Sequence, residues 1–187
     1  MITARAYDIH VEQLFEKMRR ITSALNSAGI QYRVVGGIGI FLQISPASPE
    51  KARMTDDIDL AVHRADLERI RKVAERVGFH YRHAAGVDML VDEAESRPRS
   101  EIHFVFALEK VRAGDLEPIP FSDGNQTEDG ILIASVPDLL RMKLTSFRLK
   151  DKVHIQDMDG AGLITPEIEQ SLTKALRERL QEVRETR

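Results

Sequence analysis

Hydrophobic side chains recur at helical spacing in the first part of the chain. In residues 6–28 they fall at steps of three and four, with charged residues on the other side, and Gly29 follows. This pattern predicts an amphipathic helix that ends near Gly29. Residues 64–76 have the same period and predict a second helix, which stops before Gly78.

The middle of the chain is built from short apolar runs of strand length. Residues 57–62 alternate polar and apolar side chains, which is the period of a half-buried strand. Further strands are predicted at residues 32–35, 79–83, 87–91, 102–106 and 131–134. A short helix is predicted at 38–42, and the two prolines in 45–53 indicate an exposed loop.

Only helical patterns follow residue 134. Ser135 and Asp138 match the S-x-x-D capping box, with Pro137 in the first turn. Further helices are predicted at 151–158 and 165–182. The order of elements predicts an α+β (α/β) core over residues 1–134 and a helical C-terminal part, 135–187, packed on it.

Composition narrows the class of protein. With 187 residues, 42% of them hydrophobic and 30% charged, the chain has the composition of one globular domain. A net charge of −3 gives no overall positive field for nucleic acid or membrane. The absence of cysteine excludes disulfides, thiolate metal sites and cysteine nucleophiles, and it fits a cytoplasmic location.

Membrane insertion and secretion are not expected from the sequence. No apolar run approaches the roughly 20 residues that a membrane-spanning helix needs. The first 11 residues lack the basic start and apolar core of a signal peptide.

The strand at 57–62 carries two carboxylates at alternate positions, Asp57 and Asp59. Residues two apart in a strand point to the same face, so the two carboxylates are expected side by side. Two like charges this close repel each other unless a cation neutralises them. Mg²⁺ prefers oxygen ligands, and it commonly takes one or two protein carboxylates together with phosphates of a substrate.

A glycine pair, Gly36-Gly37, interrupts the apolar run that begins at residue 32. Glycine lets the backbone approach a phosphate closely, and the first amides of a following helix add an anion site. A phosphate-binding turn and a carboxylate pair for Mg²⁺ together make half of a site for phosphoryl or nucleotidyl transfer.

Two segments carry a resemblance to a known superfamily: Val34-Val35-Gly36-Gly37-Ile38-Gly39-Ile40 and Arg53-Met54-Thr55-Asp56-Asp57-Ile58-Asp59-Leu60. Their combination resembles the signature of the DNA polymerase β-type nucleotidyltransferases. It is most similar to a bacterial branch with a G-G-h-A-h element and R-x-T-x-D-h-D, related to minimal nucleotidyltransferases and AbiEii-type toxins. Residues 139–158 resemble the K-L-x-A/S-x-R-x-K-D-x-x-D-like helix pair of this branch. The match spans about residues 32–163.

The resemblance implies a small mixed sheet backed by helices and a reaction with a nucleoside triphosphate (NTP), ATP among the candidates. Gly36 and Gly37 would contact the triphosphate, and Asp57 and Asp59 would hold one or two Mg²⁺ ions. An acceptor, which is RNA such as tRNA, a protein or a small molecule, would attack the α-phosphorus and release pyrophosphate.

Two residues between the glycines and the aspartates are further nucleotide-binding candidates, Arg53 and Thr55. Arginine suits bidentate contact with phosphate. Thr55 is equally suited to capping the turn before Asp57.

The sequence departs from the superfamily pattern on the strand at 102–106. Active members usually carry a third carboxylate there, and this chain has His103. Glu101 shares a strand face with His103 and can supply the carboxylate, while His103 can act as a general base near neutral pH. The other interpretation is a polar strand edge with weak or lost catalysis. The serine of a G-S motif is also absent, because Ile38 follows the glycines.

Lys143 and Lys150 complete the predicted nucleotide-binding residues. Their spacing, with Phe147 and His154, is that of residues that share one helical stripe. The lysines would neutralise phosphates. Alternatively, they belong to a solvated helix face with Asp151 and Asp157 as ion-pair partners.

Three hypotheses therefore follow from the sequence. The first is a Mg²⁺-dependent nucleotidyltransferase. The second is a catalytically weak or inactive nucleotide-binding or regulatory module, to which the histidine at position 103 points. The third, a toxin of a toxin–antitoxin pair, rests on family analogy alone.

Overall fold

The computed structural model describes residues 4–46, 48–53, 55, 57–94 and 101–186, with side chains from residue 11 onward. Within these residues the chain forms seven strands: β1 (Tyr32–Val35), β2 (Ile58–Val62), β3 (Phe79–Ala84), β4 (Val87–Asp92), β5 (Ile102–Phe106), β6 (Asn125–Gln126) and β7 (Leu132–Ile133). The α-helices of the same residues are α1 (Ala4–Ser27), α2 (Gly36–Ile44), α3 (Leu67–Glu75), α4 (Val136–Ser146), α5 (Leu149–Gly160), α6 (Pro166–Ser171) and α7 (Lys174–Glu185). Short 3-10 turns lie at Pro49–Lys51 and Arg64–Asp66.

The strands form one mixed sheet in the order β3-β4-β5-β2-β1-β7-β6. β1 runs parallel to β7 and β2 runs parallel to β5, while the other neighbouring pairs are antiparallel. The strands rich in candidate chemistry, β2 and β5, are therefore adjacent at the centre of the sheet. The mixed α+β architecture predicted from the sequence is confirmed.

Side-chain alternation along the strands separates two hydrophobic cores on opposite faces of the sheet. On one face, Val34 and Leu60 pack with side chains of α1 and α3. On the other face, Val35 and Ala61 pack with buried side chains of α2, α4, α5 and α7. We call this second face the site face, because Asp59 alternates with Leu60 and therefore lies on it.

The predicted helix after the glycine pair begins earlier than expected. The sequence predicts Gly36-Gly37 as a turn ahead of a helix at 38–42, whereas α2 begins at Gly36 itself. Gly36 has a positive φ of 68°, so the change of direction between strand and helix takes place within one residue.

The single helix predicted at 165–182 is wrong, because α6 ends and α7 begins within that stretch. Leu172 is extended, with ψ 148°, and Thr173 is the N-cap of α7. Leu172 is also buried in the second core. The break turns the Leu172 side chain into the core. A continuous helix would place this side chain elsewhere.

The predicted capping box at the start of α4 is half correct. Ser135 Oγ accepts a hydrogen bond from the Asp138 amide at 3.3 Å. The Asp138 carboxylate does not return to the cap, and it accepts instead from the amide and hydroxyl of Ser122, at 2.9 and 2.7 Å. Asp138 therefore fastens the irregular segment before β6 to α4.

The strand β6 is not among the strands predicted from the sequence. Asn125 and Gln126 are both exposed and polar, so no hydrophobic alternation marks them. Among the described residues, no helix has the length and apolar character needed to cross a membrane.

Candidate active site

The glycine pair and the second aspartate meet where β1 passes into α2. Val35, the last residue of β1, pairs with Asp59 of β2, and Gly36 follows directly. A Cβ atom at Gly36 would lie 2.8 Å from Asp59 Cγ and closer still to its Oδ2. The Asp59 carboxylate therefore lies directly against the backbone of Gly36, in space that any other residue would fill.

Gly37 makes the corresponding approach to the loop that leads into β2. A Cβ atom there would lie 3.0 Å from Thr55 Cβ. The Thr55 hydroxyl is 3.5 Å from the Asp57 amide, at the outer limit of a hydrogen bond, so it caps this turn weakly. The glycine pair is thus packed against the loop and strand that carry the two aspartates.

His103 is the residue of β5 that lies opposite Asp59 in the sheet register. Its Nδ1 is 3.7 Å from Asp59 Oδ1, and its Nε2 is 3.5 Å from Glu101 Oε2. Contact with Asp59, together with the charges of Asp57 and Glu101, raises the pKa of His103 above 6.5 against the opposing effect of burial. The imidazole therefore lies between two carboxylates, Asp59 and Glu101, and within reach of the charge of Asp57.

Glu101 is held from its other side by Arg82 of β3, whose Nη2 donates to Glu101 Oε1 at 2.6 Å. Met89 of β4 pairs with His103 in the sheet and contacts Arg82 through its sulfur. Arg82 could not be recognised from the sequence, because its only signal there is a charged residue within a strand. Its role arises from the pairing of β3 with β4.

Lys143 lies in α4 and is almost fully buried, with 9% of its side chain exposed. Its Nζ is 3.0 Å from Oδ1 of Asp151, a carboxylate in the first turn of α5. Arg148, the N-cap of α5, donates to Asp151 Oδ2 through Nε at 2.8 Å. The hydrogen bond to Asp151 raises the pKa of Arg148 further, against the opposing effect of burial, and the Asp59 charge adds a smaller contribution.

The predicted stripe of Lys143, Phe147, Lys150 and His154 on one helix is wrong. Phe147 has a positive φ of 50° and terminates α4, and α5 starts two residues later. Lys143 and Lys150 therefore belong to different helices. Lys150 is exposed and does not line the cleft that contains Asp59.

Arg53 is also directed elsewhere. Its Nε donates to Asp157 of α5 at 2.7 Å, and the side chain is exposed. Lys51, two residues earlier, donates to the carbonyl of Gly160 at the end of the same helix. The loop before Asp57 is therefore tied to the C-terminal half of α5.

A cleft of about 590 Å³ opens on the site face. Its lining residues include Gly36, Asp59, His103, Lys143 and Arg148. The cleft extends to the turn between β3 and β4, at Ala85 and Gly86, and to the segment after β5. Its volume is of the size that small-molecule sites have.

The donor set of the site fits a Mg²⁺ ion that a substrate helps to bind. Within the described part of the chain, no group of three or more His, Cys, Asp or Glu side chains is arranged to hold a metal by itself. Asp59 presents its carboxylate beside Gly36, whereas Asp57 lies two residues before it, ahead of β2 and outside the cleft lining. One or two carboxylates plus phosphate oxygens form the usual environment of Mg²⁺ with a nucleotide.

Comparison with known proteins gives matches in structure only. No protein-family profile matches the chain, and no curated protein matches it in sequence. A crystal structure of ANT(2″)-Ia in complex with adenylyl-2″-tobramycin aligns over 87% of this chain and 94% of its own, at 15% identity and TM-score 0.50.

Two further solved structures align more loosely. JHP933 from Helicobacter pylori covers 100% of this chain and 94% of its own, at 12% identity and TM-score 0.46. The Megavirus polyadenylate synthase covers 91% of this chain but only 34% of its own, at 10% identity and TM-score 0.40.

The chain therefore has a nucleotidyltransferase fold, as the alignment with ANT(2″)-Ia shows. At this level of identity the likeness establishes the architecture, and the assignment of chemistry rests on the residues of the cleft.

Proposed function

We propose that this protein is a Mg²⁺-dependent nucleotidyltransferase that transfers a nucleoside monophosphate from an NTP to an acceptor. The observation that carries the proposal is the contact of the Asp59 carboxylate with the backbone of Gly36. It brings a candidate metal ligand and a candidate phosphate-binding turn into one cleft, with two cationic side chains, Lys143 and Arg148, on the wall.

The glycine pair, the two aspartates and Lys143 each have a role in binding the NTP. Gly36 and Gly37 would admit the triphosphate to the first amides of α2, where the helix dipole favours negative charge. Asp57 and Asp59 would hold the magnesium. The bound ion would supply charge neutralisation of the phosphate oxygens. Lys143 would contribute a fixed positive charge from α4.

The proposed reaction is an in-line displacement at the α-phosphorus. The acceptor oxygen forms a bond to that phosphorus, the bond to the bridging oxygen breaks, and pyrophosphate leaves with the bonding electrons. If the acceptor is a hydroxyl, its proton passes to a base on the protein. The two candidates are His103, which lines the cleft, and Glu101, which contacts both His103 and Arg82.

Arg53, Thr55 and Lys150 support the site less directly. Arg53 is bound to Asp157, and Lys150 lies outside the cleft lining. We infer that Arg53 and Thr55 fix the loop before Asp57, and that Lys150 contributes long-range attraction for phosphates.

The proposal leaves the class of acceptor open and includes membership of the AbiEii-like branch. RNA such as tRNA, a protein and a small molecule all offer the hydroxyl that the reaction needs. ANT(2″)-Ia was crystallised with an adenylylated small molecule. Membership of the AbiEii-like branch is supported by the R-x-T-x-D-h-D segment that ends at Asp59.

The proposal is tested by measuring binding of Mg²⁺–ATP and pyrophosphate release with the four NTPs and the three acceptor classes. Asp59→Asn is expected to lower turnover at least about a hundredfold, since metal-derived charge stabilisation is worth several kcal/mol. Asp129→Asn is the matched control, because Asp129 pairs with Arg19 at an exposed site outside the cleft. Equal loss in both variants, or no saturable Mg²⁺–NTP binding by the wild type, would contradict it.

A second candidate function is a nucleotide-binding module without catalysis. The observation that favours it is His103, which lies opposite Asp59 where the superfamily pattern has a carboxylate. This candidate predicts saturable Mg²⁺–NTP binding that Asp59→Asn abolishes, with no pyrophosphate release under any acceptor condition.

A further inference from the structure

The most completely buried carboxylate in the second core region belongs to Asp151. Its side chain has no exposed surface. Five groups donate to it: Lys143 Nζ at 3.0 Å, Ser146 Oγ at 2.8 Å, and the amide, Nε and Nη2 of Arg148 at 3.0, 2.8 and 3.4 Å. Burial opposes ionisation, but these donors prevail and hold the pKa of Asp151 well below 3.8.

The partners of Asp151, but not Asp151 itself, face the cleft. Lys143, Ser146 and Arg148 are lining residues, and Asp151 lies behind them. Arg148 leaves about half of its side chain exposed, at 49%. Asp151 therefore links two cations from two helices and directs both toward the space beside Asp59.

Stability alone does not account for this arrangement. Desolvating a carboxylate and an ammonium costs several kcal/mol, and a well-packed apolar pair of the same volume is often as stable. The capping of α5 needs one acceptor for the Arg148 amide, which a serine or asparagine also provides. What the carboxylate adds is a fixed position for the charges of Lys143 and Arg148.

We propose that Asp151 is a positioning residue that fixes Lys143 and Arg148 as a paired cationic clamp for the polyphosphate of the substrate. This inference rests on the proposed function of the same cleft. It adds Arg148 to the substrate-binding residues and gives Asp151 a role through them. Without Asp151, Lys143 would be left as a buried ammonium without a counter-charge, and its side chain would leave this position.

The test measures equilibrium binding of inorganic tripolyphosphate without metal and of Mg²⁺–ATP, by calorimetry. Asp151→Asn keeps the size of the side chain but removes its charge and replaces one acceptor oxygen with an amide donor. It is expected to weaken tripolyphosphate binding about tenfold, as the loss of one charged contact does. Arg148→Gln is expected to weaken it by a similar factor. In the double variant the two losses should not add, because both remove the same clamp.

Asp159→Asn is the matched control. Asp159 lies in the same helix and pairs with Arg184 outside the cleft, so this variant loses a similar ion pair without touching the clamp. Its tripolyphosphate affinity should equal that of the wild type. In turnover assays Asp151→Asn should raise KM for the NTP more than it lowers kcat, a division that general destabilisation does not produce.

The outcomes separate this inference from the proposed function. If the wild type binds tripolyphosphate and Mg²⁺–ATP, and Arg148→Gln and Asp151→Asn bind as tightly or more tightly, the clamp is wrong and the proposed function stands. If the wild type binds neither ligand, both fail. If Asp151→Asn does not fold, Arg148→Gln decides alone, because its half-exposed side chain is removable without loss of the core.

Discussion

Gly36 is the residue on which the site depends most. Its φ of 68° and the adjacent Asp59 carboxylate impose two separate requirements, one on the backbone and one on the space that a side chain would take. Gly78 meets only the first requirement, because it has φ 80° and open space around it.

This contrast gives a prediction with a built-in control. Gly36→Ala and Gly78→Ala should each lower the free energy of unfolding by about 1 kcal/mol through backbone strain. Only Gly36→Ala should displace the Asp59 carboxylate, so only it should abolish Mg²⁺–ATP binding. Denaturant unfolding and calorimetry on both variants check this, and equal nucleotide binding by the two would contradict the role of Gly36.

His154 gives a prediction on pH dependence. Burial, with the Lys143 charge adding to it, lowers the pKa of His154 to about 4 from 6.5. His154 is therefore protonated below about pH 6.5 in the unfolded chain, but only below about pH 4 in the folded protein. Stability should fall as the pH decreases through this window, by up to ~3 kcal/mol in total.

The measurement is the free energy of unfolding between pH 7 and pH 4. His154→Gln should flatten the decrease, whereas His80→Gln, at an exposed position of β3, should leave it unchanged. Asp151, with its lowered pKa, contributes stability that is lost only below about pH 4, so it affects the acid end of the curve. An unchanged slope in His154→Gln would contradict the assignment.

At the scale of elements, the junction of α4 and α5 sets the geometry of the cleft wall. Phe147 holds a left-handed conformation that bulky side chains rarely adopt. Arg179 of α7 lies 4.8 Å from its ring and donates to the carbonyls of Leu144 and Thr145 at 2.6 and 2.8 Å. The end of α4 is thus capped from a third helix.

Arg179→Met should therefore lower the free energy of unfolding by about 2 kcal/mol, since it leaves helix-end carbonyls without charged donors. Lys174→Met is the control in the same helix, because the Lys174–Glu178 pair is highly exposed and its expected contribution is near zero. Chemical denaturation checks both, and equal effects would show that Arg179 is not a cap.

Local patterns predicted elements well where the period was long and undisturbed. The helix at 6–28 and the strand at 57–62 agree with α1 and β2 within two residues. The start of a new helix near 151 was predicted, and α5 begins two residues earlier, at Leu149. The break at Leu172 was missed because it is not marked by Gly or Pro, and burial of Leu172 in the second core accompanies it.

In the candidate site, too, some features follow from local sequence patterns and others from tertiary contacts. Gly36 and Asp59 are close in space as the strand alternation and the order of motifs predicted. The connections of Arg82 to Glu101 and of Arg53 to Asp157 depend on which strands and helices become neighbours. A pattern within one segment contains no information on such pairs.

At the scale of the whole molecule, the C-terminal helices complete the second core. Leu176, Leu180 and Val183 of α7 are buried against α4 and α5. Burial of three such side chains contributes roughly 5 kcal/mol, about the full stability of a small protein.

Truncation after Thr173 should therefore prevent folding of the remaining chain. Circular dichroism and denaturant unfolding should show no cooperative transition, and Leu180→Ala should lower the unfolding free energy by about 2–5 kcal/mol without abolishing it. A truncated chain that unfolds cooperatively and binds Mg²⁺–ATP would show that residues 1–173 form a stable core without α7.

The attachment of the loop before Asp57 to α5 has one more consequence. Arg53 binds Asp157 near one end of this helix, while Arg148 and Asp151 stand at its start. The loop before Asp57 and the cleft wall that carries Arg148 are thus both attached to α5. Any sliding of α5 along its axis would alter the width of the cleft from both sides at once.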